Sequence, residues 1–109
     1  MQRDISSQIL KGILQGVMLT ILEKNVEYGY SLSKKLDDYG LTNVPKGTIY
    51  PLLASMEKKK LIEGRMQESP DGPARKYYYL TPAGQQAKLE FQQEWQQLEE
   101  VVNKVLGGE

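Results

Sequence analysis

Residues 44–62 read VPKGTIYPLLASMEKKKLI, and the fold is inferred from this segment outward. Its main apolar residues stand at positions i, i+3, i+4 and i+7: Ile49, Leu52, Leu53 and Met56. That spacing predicts one buried face of an α-helix. The opposite face carries small, hydroxylated or cationic side chains: Gly47, Thr48, Tyr50, Pro51, Ala54, Ser55 and Lys58. We therefore predict an amphipathic helix whose exposed front can approach another surface closely.

The first turn of this helix favours an anionic partner. Pro45 favours a helix that begins just after it, because its fixed φ suits the first turn. Lys46, Gly47 and Thr48 would then lie at the positive end of the helix dipole, where a phosphate group binds favourably. Pro51 follows at or just past the first turn, and in the latter position it removes one backbone hydrogen bond and bends the helix. We interpret the segment as a helix that reads DNA.

The composition limits the kinds of chemistry that the chain can perform. Its 109 residues suit one domain with a modest core, and 39% of them are hydrophobic. The absence of cysteine excludes disulfides and thiolate metal sites, and the absence of histidine removes the commonest general base and metal ligand. No paired acid and base or activated nucleophile stands out among the carboxylates. We therefore expect no enzymatic activity, no cofactor and no metal site.

The charge is distributed unevenly although the net charge is zero. Residues 28–81 carry nine Lys and Arg against six Asp and Glu, whereas residues 82–109 carry two against five. This gradient favours contact between the middle of the chain and phosphate. The triple lysine at 58–60 is interpreted as a solvated helix end, since cations are favourable at that pole.

Two features bear on the location of the protein. The longest apolar run is Val17-Met18-Leu19, too short to span a membrane. The first residues, Met1-Gln2-Arg3-Asp4, lack the basic and then apolar layout of a signal peptide. We expect a cytoplasmic protein that has no membrane partner.

Residues 5–24 are predicted to form a first helix with a wide apolar face. One row of side chains comprises Ile5, Ile9, Ile13, Val17 and Ile21, and the row beside it comprises Leu10, Leu14, Met18 and Leu22. A face of this width indicates burial on two sides, within the domain and against another chain. The alternative is a central core helix with no second chain.

A second helix and a hairpin flank the helix that begins at Lys46. The second helix follows Glu27, with Leu32, Leu36, Tyr28 and Tyr39 on its inner face, and Gly40 is placed to end it. Residues 61–68 and 74–81 have strand-like composition and enclose the turn Ser69-Pro70-Asp71-Gly72-Pro73. The pair Arg75 and Lys76 lies beside this turn. Three helices followed by a hairpin predict a winged helix-turn-helix.

A long last helix begins at Thr81 and Pro82, which suit the N-cap and the first helical position. Its apolar residues are spaced by four and three, as in a coiled-coil seam: Phe91, Trp95, Leu98, Val102 and Val105. Such a helix is expected to pair with its copy in a second chain, and the alternative is packing on the first helix of its own chain.

The predicted fold class is therefore mainly α with a β-hairpin wing (α+β). We expect a DNA-binding winged helix-turn-helix over residues 1–81, in which helix 5–24 is shared with the dimer interface. Residues 82–109 would form a C-terminal dimerisation helix.

Three segments resemble the PadR family of bacterial transcriptional regulators: residues 28–32 (YGYSL), 47–53 with 56–57 (GTIYPLL and ME) and 72–84 (GPARKYYYLTPAG). The short C-terminal part resembles the small-subunit, LmrR-like branch of that family. The resemblance implies a homodimer built by the first and last helices, two winged helices that read a palindromic operator, and repression as the usual effect. It also implies that Trp95 matches a tryptophan that stacks planar effectors, although the glutamines around it (92, 93, 96 and 97) depart from that branch.

We therefore expect a homodimeric repressor that binds double-stranded DNA and is released by a small planar aromatic ligand at Trp95. The predicted DNA contacts are Lys34, Lys46, Gly47, Thr48, Tyr50, Pro51, Ser55, Arg75 and Lys76. The predicted dimer interface comprises Ile9, Ile13, Phe91, Trp95, Leu98, Val102 and Val105. The alternative function is a winged-helix module for protein–protein contact that does not bind DNA.

Overall fold

A computed structural model describes residues 5–108 of the chain. The elements follow in the order α1 (Ser7–Lys24), β1 (Glu27–Tyr28), α2 (Gly29–Tyr39), α3 (Lys46–Lys58), β2 (Ile62–Ser69), β3 (Gly72–Leu80) and α4 (Pro82–Gly107). The predicted winged helix-turn-helix of class α+β is confirmed. Residues 1–4 and 109, which belong to the predicted ranges 1–81 and 82–109, lie outside the described residues.

The core is built around α3. Ile49, Leu53 and Met56 are completely buried, and Leu52 is half-buried beside them, as the helical spacing predicts. They pack in one cluster with the inner residues of α1 and α2: Leu14, Met18, Leu19, Leu22, Leu32 and Leu36. Pro51 lies inside α3, past its first turn, so that α3 lacks one backbone donor there.

The assignment of Tyr39 to the inner face of α2 is wrong. Its side chain is 61% exposed, and the Lys24 ammonium lies 5.2 Å from its ring centroid. Tyr39 is the last residue of α2, and Gly40 follows in the left-handed conformation that ends the helix. Tyr39 shares the helical face of Leu32 and Leu36, but as the last helical residue it lies beside the exposed end of α1 at Lys24 instead of over the core.

The wing is a three-stranded antiparallel sheet in the order β1-β3-β2, whereas the sequence predicted only the hairpin β2-β3. The additional strand has two residues, and it places Glu27 opposite Tyr78 and Tyr28 opposite Tyr77. A strand this short has no period of its own, so only the pairing with β3 defines it. The turn is also tighter than predicted, because pairing continues to Ser69 and Gly72, with an irregularity in register after Gln67.

The two apolar rows of α1 have different surroundings. Leu14, Met18 and Leu22 are buried in the core. The other row is exposed near the start of the helix, where Ile9 is 58% accessible, and it becomes buried only at Ile21. The chain on its own therefore covers one side of the wide apolar face of α1 and leaves part of the other side exposed.

The first turns of α4 are fixed to the rest of the domain. The Thr81 hydroxyl lies 2.7 Å from the Lys60 carbonyl oxygen and accepts a hydrogen bond from the Gly84 N–H at 3.0 Å, as expected of an N-cap. Gly84 is buried so closely against the Leu61 carbonyl that a Cβ there would lie 2.0 Å from its oxygen. These contacts connect the end of the wing to the start of α4.

Further along, α4 packs against α1 of the same chain and then leaves the domain. The ring of Phe91 lies on the backbone of Gly16, and the Lys88 ammonium lies 3.0 Å from the Glu23 carboxylate. Beyond Phe91 the apolar side chains are exposed: Trp95, Leu98, Val101, Val102, Val105 and Leu106. Intrachain packing thus partly covers Phe91, the first residue of the predicted seam, and leaves the other four exposed.

The contact between Gly16 and Phe91 yields a test of this packing. A Cβ at Gly16 would lie 2.1 Å from Cγ of Phe91, so we expect Gly16→Ala to lower the free energy of unfolding by about 1–3 kcal/mol. Gly12→Ala is the matched control on the same helix, because a Cβ at Gly12 would have no neighbour within 4 Å. That control should be neutral or should gain about 0.5–1 kcal/mol. Urea unfolding at one fixed protein concentration measures both, and equal stabilities of the two variants would contradict the packing.

Candidate nucleic-acid interface

The exposed face of α3 is one continuous stripe along the helix. It consists of Lys46, Gly47, Tyr50, Pro51, Ala54 and Lys58, all of them exposed. The helix begins after Pro45, whose carbonyl accepts hydrogen bonds from the N–H groups of Thr48 and Ile49. The stripe is free of carboxylates, and its first residue is a lysine at the positive pole of the helix dipole. This face is suited to a close approach to a polyanion.

Two of the predicted DNA contacts lie on the flank of α3. Thr48 and Ser55 are half-buried, while their neighbours Gly47 and Ala54 are exposed. The hydroxyls of Thr48 and Ser55 therefore border the exposed stripe.

Tyr50 has a structural contact that the sequence did not predict. Its ring lies against the backbone of Gly29, so closely that a Cβ at Gly29 would lie 2.3 Å from the ring carbon Cε1. The side chain is nevertheless 46% exposed. Tyr50 therefore connects α3 to the start of α2 and still presents part of its surface to solvent.

The two basic residues of the wing point to opposite faces of β3, because successive side chains of a strand alternate. Lys76 lies on the side of α3 and forms an ion pair with Glu57 at 2.8 Å, and its aliphatic stem crosses Gly64. The hydrogen bond that Lys76 donates to this carboxylate raises the pKa of Lys76 above its ordinary value of 10.5. The Lys76 ammonium is therefore charged at neutral pH, and the stability that the pair gains from this charge is lost as the pH rises through that raised pKa.

Arg75 lies on the other face of the wing, against aromatic rings. Its guanidinium carbon is 4.6 Å from the ring centroid of Tyr28. Tyr28 in turn meets Tyr77 edge to face at 5.3 Å and stacks on Tyr30 at 6.3 Å. We call Tyr28, Tyr30 and Tyr77 the aromatic cluster.

The aromatic cluster also reaches the start of α3, because the Lys46 ammonium lies 5.9 Å from the ring centroid of Tyr30. The cations of α3 and of the wing thus border the same set of rings. The segment Tyr28-Gly29-Tyr30, whose tyrosines flank a glycine, is a partial signal of this cluster in the sequence. That segment does not indicate that the rings meet Lys46 and Arg75, which are distant in the chain.

The face of the wing that carries Arg75 has a second contact between a cation and an aromatic ring. The Arg65 guanidinium carbon lies 4.3 Å from the ring centroid of Tyr79 and also pairs with the Glu63 carboxylate. Gln67 donates to the Tyr79 hydroxyl. Arg65 is absent from the predicted contacts, although it is on the same face of the sheet as Arg75.

Lys34 is exposed on α2, whereas its neighbour Lys35 lies 3.5 Å from the carboxylate of the buried Glu27. Only Lys34 of these two therefore has a side chain that is wholly at the surface.

Trp95, the predicted effector residue, lies on α4 and not on α3 or the wing. Trp95 is 41% exposed and borders an open cavity of about 150 Å³ with Ile13, Val17 and Phe91. A neighbouring cavity of about 250 Å³ is lined by Thr20, Lys88, Phe91, Gln92 and Trp95. Both cavities lie between α1 and α4.

Residues 5–108 contain no group of three or more acidic, histidine or cysteine side chains that could hold a metal ion. No helix in that range is long and apolar enough to cross a membrane.

Comparison with known proteins identifies the family. Residues 18–90 match the model of the transcriptional regulator PadR-like family. A transcriptional regulator of Mycobacterium tuberculosis, Rv3488, is 38% identical over 85 residues, which cover 78% of this chain and 75% of that protein.

Solved structures agree with this match. A PadR-like transcriptional regulator from Bacillus cereus is 48% identical and superposes with a TM-score of 0.85 over 94% of this chain and 100% of its own. A Streptococcus transcriptional regulator is 40% identical, with a TM-score of 0.83 over 92% and 98% of the two chains. The chain therefore belongs to the PadR-like family of transcriptional regulators.

Proposed function

We propose that the protein is a homodimeric repressor that binds a palindromic operator through α3 and the wing. The observation that carries the proposal is the exposed stripe of α3, which is free of carboxylates and begins at Lys46. It lies on the helix side opposite the completely buried Ile49, Leu53 and Met56. A helix that is held this firmly and presents small and cationic residues is suited to the major groove.

The individual contacts follow from the positions of the side chains. Lys46, the backbone at Gly47 and Lys34 would bind phosphates and fix the register of the helix on the duplex. Thr48, Tyr50, Pro51 and Ser55 would meet base edges or sugars. Arg75 would bind phosphate or enter the minor groove, which attracts arginine where it is narrow. To bind a phosphate, Lys76 would give up its ion pair with the Glu57 carboxylate.

A second copy of the chain would cover the apolar side chains that the single chain leaves exposed. We propose an interface formed by Ile9, Ile13, Phe91, Trp95, Leu98, Val102 and Val105. In this arrangement residues 1–81 form the DNA-binding domain, with α1 shared with the interface, and residues 82–109 form the dimerisation helix. Two copies would place their α3 helices in successive major grooves, about one helical turn apart.

The cavities beside Trp95 suggest how binding could be regulated. A planar aromatic molecule would stack on the Trp95 ring between α1 and α4, in line with the resemblance to the small-subunit branch. Because both helices belong to the proposed interface, such a ligand would change the distance between the two α3 helices and release the operator. Trp95 is the only tryptophan of the chain, so its fluorescence would report ligand binding directly. Since a repressor acts on the chromosome, we place the protein in the bacterial cytoplasm.

The DNA contacts are tested with the DNA that flanks the gene of the protein. We expect the wild type to shift this DNA in a mobility assay. Lys46→Ala and Arg75→Ala should each weaken binding and reduce the slope of log K against log salt by about two, because each removes one phosphate contact from each of the two protomers. Lys104→Ala is the control with the same charge change, on α4. If all three variants lost the same affinity, the effect would be one of net charge and the proposed contacts would be wrong.

The interface is tested by placing a charge in the exposed seam. Leu98→Glu should convert the dimer to a monomer in sedimentation velocity, because it would bury an unpaired carboxylate between two chains. Gln93→Glu adds the same charge on the opposite side of α4 and should leave the dimer intact. A Leu98→Glu variant that sediments as the wild type does would exclude this face from the interface.

A further inference from the structure

Lys46 and Arg75 belong to different elements but border the same rings. Lys46 begins α3, and Arg75 lies on β3 of the wing. Each cation lies over one member of a stacked pair, Lys46 over Tyr30 and Arg75 over Tyr28. The stack thus connects the cationic end of α3 to the cationic face of the wing.

The position of Tyr28 is fixed by its backbone. Its N–H donates to the Ser31 hydroxyl at 3.0 Å, and the same hydroxyl lies 3.1 Å from the Tyr28 carbonyl oxygen. Pairing with Tyr77 in β3 fixes the direction of the side chain, and the edge-to-face contact with the Tyr77 ring restrains it further. The ring beneath Arg75 is therefore held by the sheet and by the first turn of α2.

Gly29 lets α3 approach the segment that carries the two rings. The ring of Tyr50 from α3 occupies the space where a Gly29 side chain would be. Tyr28 and Tyr30 flank this glycine. The segment Tyr28-Gly29-Tyr30 therefore contacts α3 through both Tyr50 and Lys46, and the wing through Tyr77 and Arg75.

We propose that Tyr28 and Tyr30 are positioning residues that hold Lys46 and Arg75 at a fixed separation, so that α3 and the wing bind the DNA backbone as one unit. This proposal rests on the proposed DNA binding. Lysine and arginine side chains lose rotamer freedom when they bind a phosphate, and a side chain already held over a ring loses less. A cation over an exposed ring gains enough to change affinity roughly two- to fivefold.

The first test measures the free protein. Nitrogen relaxation at the Arg75 guanidinium should show a restrained side chain in the wild type and a more mobile one in Tyr28→Leu. Tyr28→Phe keeps the ring and should keep Arg75 restrained. Equal mobility of Arg75 in the wild type and in Tyr28→Leu would overturn the positioning role, whatever the DNA-binding measurements show.

The second test is a double-mutant cycle in operator binding. Tyr28→Leu should weaken binding roughly two- to fivefold in the wild type and have little effect in an Arg75→Ala background. Tyr30→Leu should behave in the same way with Lys46→Ala. Because Tyr30 is exposed, Tyr30→Leu should fold and can still test the positioning role if Tyr28→Leu does not fold. Tyr39→Leu removes an exposed tyrosine that contacts Lys24 and should not change affinity.

The outcomes separate the positioning role from DNA binding itself. Additive effects in both cycles, or a Tyr28→Phe variant that binds operator as weakly as Tyr28→Leu, would show that the rings do not act through the two cations and would overturn the inference. A wild type that binds no operator would overturn the proposed function and this inference together. A wild type that binds while the cycles are additive would overturn the inference alone.

Discussion

The structure depends on the complete burial of one row of α3. Ile49, Leu53 and Met56 have no accessible surface, and the burial of a side chain of this size contributes about 1.5–3 kcal/mol. Rotation of α3 about its axis would expose all three, and the net stability of a domain is only about 5–15 kcal/mol. The rotation of α3 is therefore fixed. The stripe from Lys46 to Lys58 therefore faces solvent, because the opposite row of the helix must remain buried in the core.

The wing packs into the core through Ile62 and Tyr78 and makes further contacts on both of its faces. On one face Lys76 pairs with Glu57 of α3, and on the other Arg75 lies on Tyr28. Such exposed pairs contribute little individually, about 0–1 kcal/mol each. Their role is geometric, since they connect the hairpin to the helix whose rotation the core has already fixed.

Patterns within single elements could be predicted from the sequence. The buried row of α3, the N-cap Thr81 and the helix end at Gly40 depend on local spacing and local backbone chemistry, and the structure confirms all three. Features that the sequence does not predict depend on pairs that are distant in the chain. The two-residue strand β1 exists only through β3, and the partner of Lys76 is a carboxylate on α3 that no local pattern indicates.

The same limit applies to the aromatic cluster and to Tyr39. The tyrosines at 28 and 30 have a visible spacing, but their contacts with Lys46 and Arg75 arise only when β1, α3 and β3 come together. Tyr39 stands seven residues after Leu32 and three after Leu36, and this helical spacing favours the core when the sequence is taken alone. Its exposure follows from where α2 ends relative to that core.

Site-specific photo-crosslinking tests whether the exposed stripe of α3 faces DNA in the complex. A benzophenone amino acid in place of Ala54, which lies in the middle of the stripe, should crosslink to the DNA that flanks the gene. The same group in place of Gln93 on α4 should not. Crosslinking from position 93 with none from position 54, in a complex that still forms, would show that the exposed stripe of α3 does not face DNA.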